Sequence, residues 1–237
     1  MSRRGDRSVI VENSPGGDPS SAVGEPGNLA PLIRAIEAAD SKGAMVAAVS
    51  RLAAQGHPAA IPTLIQVLGY NNPGAAVAAV DGLVALGEAS VPALLEELDG
   101  YNYGARAWAI RALSLIGDPR ALGVLLETAT GDFALSVRRA AAKGVGYLNW
   151  ALLPPDQIAS AQAQSLQALI QGTEDPEWVV RYAAVVGLQA LGTYATPQAE
   201  FFTTIQQRLQ QVFQQDSSPA VQARAKLALI TLASFPG

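Results

Sequence analysis

Asp175-Pro-Glu-Trp-Val-Val-Arg-Tyr-Ala-Ala184 decides the reading of this chain. It returns, loosened, as Asp132-Phe-Ala-Leu-Ser-Val-Arg-Arg-Ala-Ala141 and as Asp216-Ser-Ser-Pro-Ala-Val-Gln-Ala-Arg-Ala225. Extending this register outward gives six anchors, Met45, Ala76, Arg106, Arg138, Arg181 and Gln222, spaced 31, 30, 32, 43 and 41 residues apart. Three residues after each anchor stands alanine: Ala48, Ala79, Ala109, Ala141, Ala184 and Ala225. Seven after come Leu52, Leu83, Leu113, Val145, Leu188 and Leu229, and ten after, in five copies, Leu86, Ile116, Leu148, Leu191 and Leu232. Offsets of 3, 7 and 10 make one stripe of an α-helix, with a small residue where a neighbour comes closest.

Between these helices lie apolar segments that read as hairpin partners: Pro58–Leu68, Val91–Leu98, Pro119–Thr128, Asp156–Ile170 and Pro197–Phe213. Leu29–Ala39 reads as an N-terminal cap helix. Gly56, Gly87, Gly117 and Gly192 stand where a glycine ends a helix. The fold expected is all-α, a solenoid of about six stacked helical hairpins over residues 28–237. Composition agrees: 44 of 237 residues are alanine and only 6% are aromatic, a balance that favours helices over strands. Residues 1–27 include 13 Gly, Pro or Ser and are expected to form a disordered tail.

The same composition excludes several chemistries. With no cysteine there is no disulfide, thiolate nucleophile or cysteine–zinc site, and a single histidine leaves no two-histidine metal site. No metal site and no catalytic residue is assigned. A formal charge of −4 argues against a nucleic-acid surface. No uninterrupted apolar run reaches the roughly 18 residues of a bilayer span, and the expected setting is the cytoplasm. Phosphate loops, dinucleotide fingerprints and nucleophile elbows are absent from the sequence. His57, in Gly56-His57-Pro58, matches Gly117-Asp118-Pro119 of another copy and reads as a helix-start residue. Glu96 and Glu97 read as a solvated face.

The aspartates before the anchors are expected to cap the coming helix. The arginines Arg106, Arg138 and Arg181 can then reach acceptors such as Asp132 and Asp175 in a neighbouring unit, forming a ladder. In this the chain resembles the HEAT repeat. The helix face opposite the alanine stripe falls at offsets 1 and 5, since each residue turns about 100°. It carries Val77 and Asp81, Ala107 and Arg111, Arg139 and Lys143, Tyr182 and Val186, with Trp108 at its border. Cations, rings and one carboxylate on successive helices suit an acidic, flat, aromatic ligand. A protein-docking face has the same composition.

Three stretches narrow the field. Tyr101-Asn-Tyr-Gly-Ala-Arg-Ala-Trp-Ala-Ile-Arg-Ala-Leu113, Ile116-Gly-Asp-Pro-Arg120 and the run from Asp132 to Trp150 resemble the phycobilin lyases of the E/F type, and within them the F subunits of the phycocyanin α lyases. The resemblance spans roughly residues 29–235 as repeat architecture and 100–150 as sharper motif. It implies a heterodimer with an E-type subunit that binds phycocyanobilin as substrate, with no tightly bound cofactor. The bilin is delivered to a cysteine of the apo-phycocyanin α subunit as a thioether. The nucleophile belongs to the acceptor, so a cysteine-free enzyme is chemically reasonable. The Asn-His-Cys-Gln-Gly-Asn motif of the related lyase-isomerase has no counterpart here. The resemblance further implies that the arginine-bearing helices line a concave side. Trp108, Arg111, Arg139, Lys143 and Tyr182 then surround one groove, with Asp81 as a partner for pyrrole N–H groups. The alternatives are a non-catalytic HEAT adaptor in phycobilisome assembly or degradation and, more remotely, an enzyme built on His57. Phe201, Phe202 and Phe213 suggest either an apolar docking surface near the C-terminus or burial inside the last unit.

Overall fold

Prolines and short polar side chains set where the helices begin. Pro73 opens a helix whose N-cap Asn72 accepts from the Ala75 amide at 3.2 Å, and Ser41 does the same for Ala44 at 3.2 Å. His57 Nδ1 accepts from the Ala59 amide at 3.1 Å, and Asp118 Oδ1 from Arg120 at 2.9 Å. His57 is thus the helix-start residue its position announces.

The structure is a computed structural model that describes residues 28–98, 103–194 and 199–234, leaving out the side chains of Tyr103, Tyr194 and Ala199. The tail expected at 1–27 lies outside the described residues. Twelve α-helices are described: α1 (Ala30–Glu37), α2 (Lys42–Ala53), α3 (Ile61–Leu68), α4 (Pro73–Leu86), α5 (Val91–Glu97), α6 (Tyr103–Ile116), α7 (Leu122–Gly131), α8 (Leu135–Gly146), α9 (Pro155–Gly172), α10 (Trp178–Tyr194), α11 (Ala199–Gln215) and α12 (Pro219–Ala233). No strand occurs among the described residues.

The six anchors fall on the even-numbered helices, which pack in sequence, α2 on α4, then α6, α8, α10 and α12. The alanine stripe is the seam: Ala48, Ala79, Ala109, Ala141, Ala184 and Ala225 are all buried, and Leu52, Leu83, Leu113, Val145 and Leu188 lie beside them with no exposure. The odd-numbered helices form the second row. Each packs mainly against the even helix after it, not the one before. Leu29–Ala39 is therefore half of the first hairpin, α1 with α2, and not an added cap.

The backbones come closest between α8 and α10. A Cβ built on Gly146 would collide with the carbonyl of Gly187, and one on Gly187 would stand 2.6 Å from the Ala142 carbonyl. Only glycine fits this crossing. Gly87 serves a different need, ending α4 with φ 58°, a left-handed conformation that side chains disfavour. Gly117 does the same directly after α6, Gly56 turns left-handed three residues beyond the end of α2, and Gly192 lies inside α10 and ends nothing. The stretch Pro73–Glu97 is long and apolar enough to cross a membrane by length and composition, which a count of uninterrupted apolar residues passes over because of Asp81. Gly87 breaks it into α4 and α5, joined by a 3-10 turn.

Candidate ligand-binding face

The arginine ladder is formed. Arg138 Nε donates to Asp175 Oδ2 at 2.7 Å and its Nη2 to Oδ1 at 3.1 Å, while Nη1 donates to the carbonyls of Asp132 and Phe133. Arg181 repeats this one unit on, with 2.7 and 3.0 Å bonds to Asp216. The Arg106–Asp132 rung is looser, with Nε 3.6 Å from Oδ2. The aspartates do not cap their helices as expected. Asp132, Asp175 and Asp216 accept from the amides of Ala134, Glu177 and Ser218, two residues on, each at 2.8 Å, and so shape the turn ahead of the helix. Burial works against the Asp175 charge, but the Arg138 hydrogen bond, the Glu177 amide and the Arg138 and Arg181 charges outweigh it and hold the carboxyl below its usual range. Asp216 is held low in the same way by Arg181 and Ser218. These side chains bind one another along the stack.

The opposite face is open and unpaired. Asp81 on α4, Arg111 on α6, Arg139 and Lys143 on α8 and Tyr182 on α10 are exposed, and Trp108 is half-buried against the core. Since α4, α6, α8 and α10 pack in that order, all six candidates belong to one contiguous layer. Arg111 lies over the Trp108 ring at 5.8 Å, and Lys143 over Tyr147 at 5.8 Å. Helices α6, α8, α10 and α12 carry Arg106, Arg111, Arg138, Arg139, Lys143, Arg181, Arg224 and Lys226 and no carboxylate. Once the ladder has taken Arg106, Arg138 and Arg181, five cations remain without an acidic partner among the described residues. In a chain of net charge −4 this is a local positive field.

Rings and aliphatic side chains are exposed on the same layer. Leu115, Leu135, Trp178, Leu227 and Ile230 on these helices are between 43% and 58% exposed, and Tyr147, just after α8, is 44% exposed. The sequence reading missed Tyr147, Trp178 and Arg224. The first two continue rows already begun, since Arg139, Lys143 and Tyr147 are four apart, as are Trp178 and Tyr182. Two hollows, of about 330 and 430 Å³, lie elsewhere, at Ala39–Met45 with Tyr70–Asn72 and among Gln206–Gln215 with Leu229; none of the six candidates lines either. Phe201, Phe202 and Phe213 pack against the core, so the apolar surface at this end is Leu227 and Ile230 of α12 instead. No cluster of three His, Asp or Glu able to hold a metal occurs among the described residues.

Stacked helical hairpins joined by an arginine ladder define an α-solenoid of HEAT type. A designed armadillo-repeat protein, 16% identical, shares this fold alone, with a TM-score of 0.51 over 87% of the chain. The PBS lyase HEAT-like repeat family matches residues 46–70 and 105–129. Phycocyanin alpha phycocyanobilin lyase CpcF of Synechocystis is 52% identical over 164 residues, covering 69% of this chain and 77% of that protein. The phycobilisome maturation protein of Synechococcus elongatus is 51% identical over 206 residues, 86% of this chain and 97% of that one. In the complex of CpcE and CpcF of phycocyanin lyase from Nostoc, a chain 51% identical superposes with a TM-score of 0.67, covering 72% of this chain and 98% of its own length. The chain belongs to the phycobilin lyase E/F family, on the F-subunit side.

Proposed function

We infer that this chain is the F-type subunit of a heterodimeric bilin lyase that acts with an E-type partner. Its reaction attaches phycocyanobilin to a cysteine of the apo-phycocyanin α subunit. The observation that carries this reading is the half-identity to F-type lyase subunits over most of their length, one of them solved bound to its E partner. The chemistry agrees. The acceptor thiol adds across the ethylidene double bond of ring A: sulfur bonds to the ethylidene carbon, the proton ends on the ring carbon, and nothing is oxidised or lost. Catalysis then consists of holding the bilin in one pose and shielding it. Its cytoplasmic setting belongs to the same reading.

The exposed face of α4, α6, α8 and α10 is the bilin site in this reading. Arg111 or Arg139 pairs with a propionate, Trp108 and Tyr182 contact the conjugated rings, and Asp81 accepts from pyrrole N–H groups. The bilin is substrate, and no resident cofactor is required. Because the face is open, the E partner completes the enclosure. A second reading, a docking face for protein, draws on the exposed leucines of the same layer.

One experiment separates them. The chain is co-expressed with an E-type partner, bilin-producing enzymes and apo-phycocyanin α, and covalent colour is read on a denaturing gel. Arg111→Ala should cut transfer about 10- to 150-fold, the range for a charge-assisted contact, and Trp108→Ala should also reduce it, while fold and E association persist. Transfer at the parent rate by both variants gives the face to protein docking.

A further inference from the structure

Arg224 on α12 is a cation that neither the ladder nor the core uses. Its Nη1 is buried without a hydrogen-bond partner, and the guanidinium has no ion pair among the described residues. A buried N–H with no acceptor within the chain is free to bond one supplied from outside it. The position is unusual within the repeat: two residues after the anchor the other copies have Ala47, Ala78, Ala140 and Ala183, and Trp108 in the third. Four units place a methyl group where the last places a long cation. Burial pulls Arg224 below the usual guanidinium range, countered in part by Tyr182 and then Tyr147, both within electrostatic reach. Those rings stand on α10 and just beyond α8, and Lys143 covers the second. Helix α12 packs on α10 and α10 on α8, so Arg224, the two exposed phenols and Lys143 stand on one run of three successive helices that carry no carboxylate.

We propose that Arg224, with the Tyr147 and Tyr182 hydroxyls, is the anchor for one propionate carboxylate of the bilin, and that Arg139 or Lys143 on α8 takes the other. This rests on the lyase reading and deepens it by fixing the pose. Adjacent helices lie about 8–10 Å apart, so α12 is about 16–20 Å from α8, a span two long cationic side chains can close around one dicarboxylate. The conjugated system then lies beside Tyr182 and runs past α8 toward Trp108 on α6.

The test uses the complex with the E-type partner, titrated with phycocyanobilin and separately with its dimethyl ester, followed by absorbance. Arg224→Gln should weaken free-acid binding about 10- to 150-fold and leave the ester unaffected, with Arg224→Lys restoring part of the loss. Its Tm should equal or exceed that of the parent, because an unmatched buried cation has been removed. Free-acid binding at parent affinity by Arg224→Gln overturns the proposal. So does equal parent affinity for acid and ester, or a variant that loses E association instead, which would make Arg224 a contact to the partner's carboxylate. A parent complex that binds neither ligand overturns the lyase site itself, an outcome distinct from the others.

Discussion

Replacing Asp175 by asparagine keeps the shape of one rung and removes its charge. The rung is a two-pronged pair, 2.7 and 3.1 Å, between side chains only 12% and 10% exposed. Breaking a buried pair from one side costs about 3–5 kcal/mol because the remaining charge is stranded. Here Arg138 keeps two carbonyls, at 2.8 and 3.1 Å, which brings the expected loss to about 2–4 kcal/mol. In a chain of this length that lowers Tm by roughly 4–16 °C. Asp216→Asn removes the same geometry one unit on and should cost as much. Asp132→Asn is the internal control: its guanidinium is 3.6 Å away and 26% exposed, so losing the pair costs about 1 kcal/mol or less. Urea denaturation of the three variants, analysed by midpoint and slope, gives the comparison. If Asp132→Asn loses as much as Asp175→Asn, or none of them loses anything, the ladder does not hold the stack together.

The same rungs set an acid limit. Asp175 and Asp216 titrate lower in the folded chain than in the unfolded one, so the unfolded state takes up protons first as pH falls. Their stabilisation is complete above about pH 4, the ordinary aspartate range, and is lost as pH drops through the lower folded values; a Tm–pH series should be level down to that point and then fall, less steeply in Asp175→Asn. Gly146→Ala should cost about 3 kcal/mol or more, because its Cβ meets the Gly187 backbone; a urea midpoint equal to the parent's would refute the close crossing. His57→Ala removes only the acceptor for the Ala59 amide and should cost about 0.5–1 kcal/mol with bilin transfer unchanged. Transfer lost in a folded His57→Ala protein would bring histidine chemistry back.

The repeat register was readable because a helical stripe leaves a period in the sequence: alanines three residues after each anchor are the buried seam. The ladder was readable too, since Asp and Arg recur at fixed spacing. Hairpin pairing was not, because an apolar helix between two others shows the same pattern whichever it prefers, and only packing assigns α3 to α4 and not to α2. Gly192 misled for a similar reason. A glycine at the right distance ends a helix only if its backbone turns left-handed, and α10 continues past it. The face at offsets 1 and 5 was found from geometry alone, yet Arg224 escaped it. In the sixth copy those offsets hold Ala223 and Leu227, and nothing in the sequence says that the next cation has a buried, unmatched nitrogen.

The rungs are unequal along the chain. At the first two anchors, Met45 and Ala76, there is no cation to make one; the third rung sits at 3.6 Å, and the next two close to 2.7 Å. A spring wound this way is soft at one end and stiff at the other. Bending is expected to concentrate where the restoring force is least, at the amino-terminal hairpins, which are tied by the neutral Asn72–Lys42 carbonyl hydrogen bond, while α8, α10 and α12, which carry Tyr147, Tyr182 and Arg224, keep their spacing. Deuterium uptake should therefore rise from α12 toward α2, a slope in compliance built by three salt bridges.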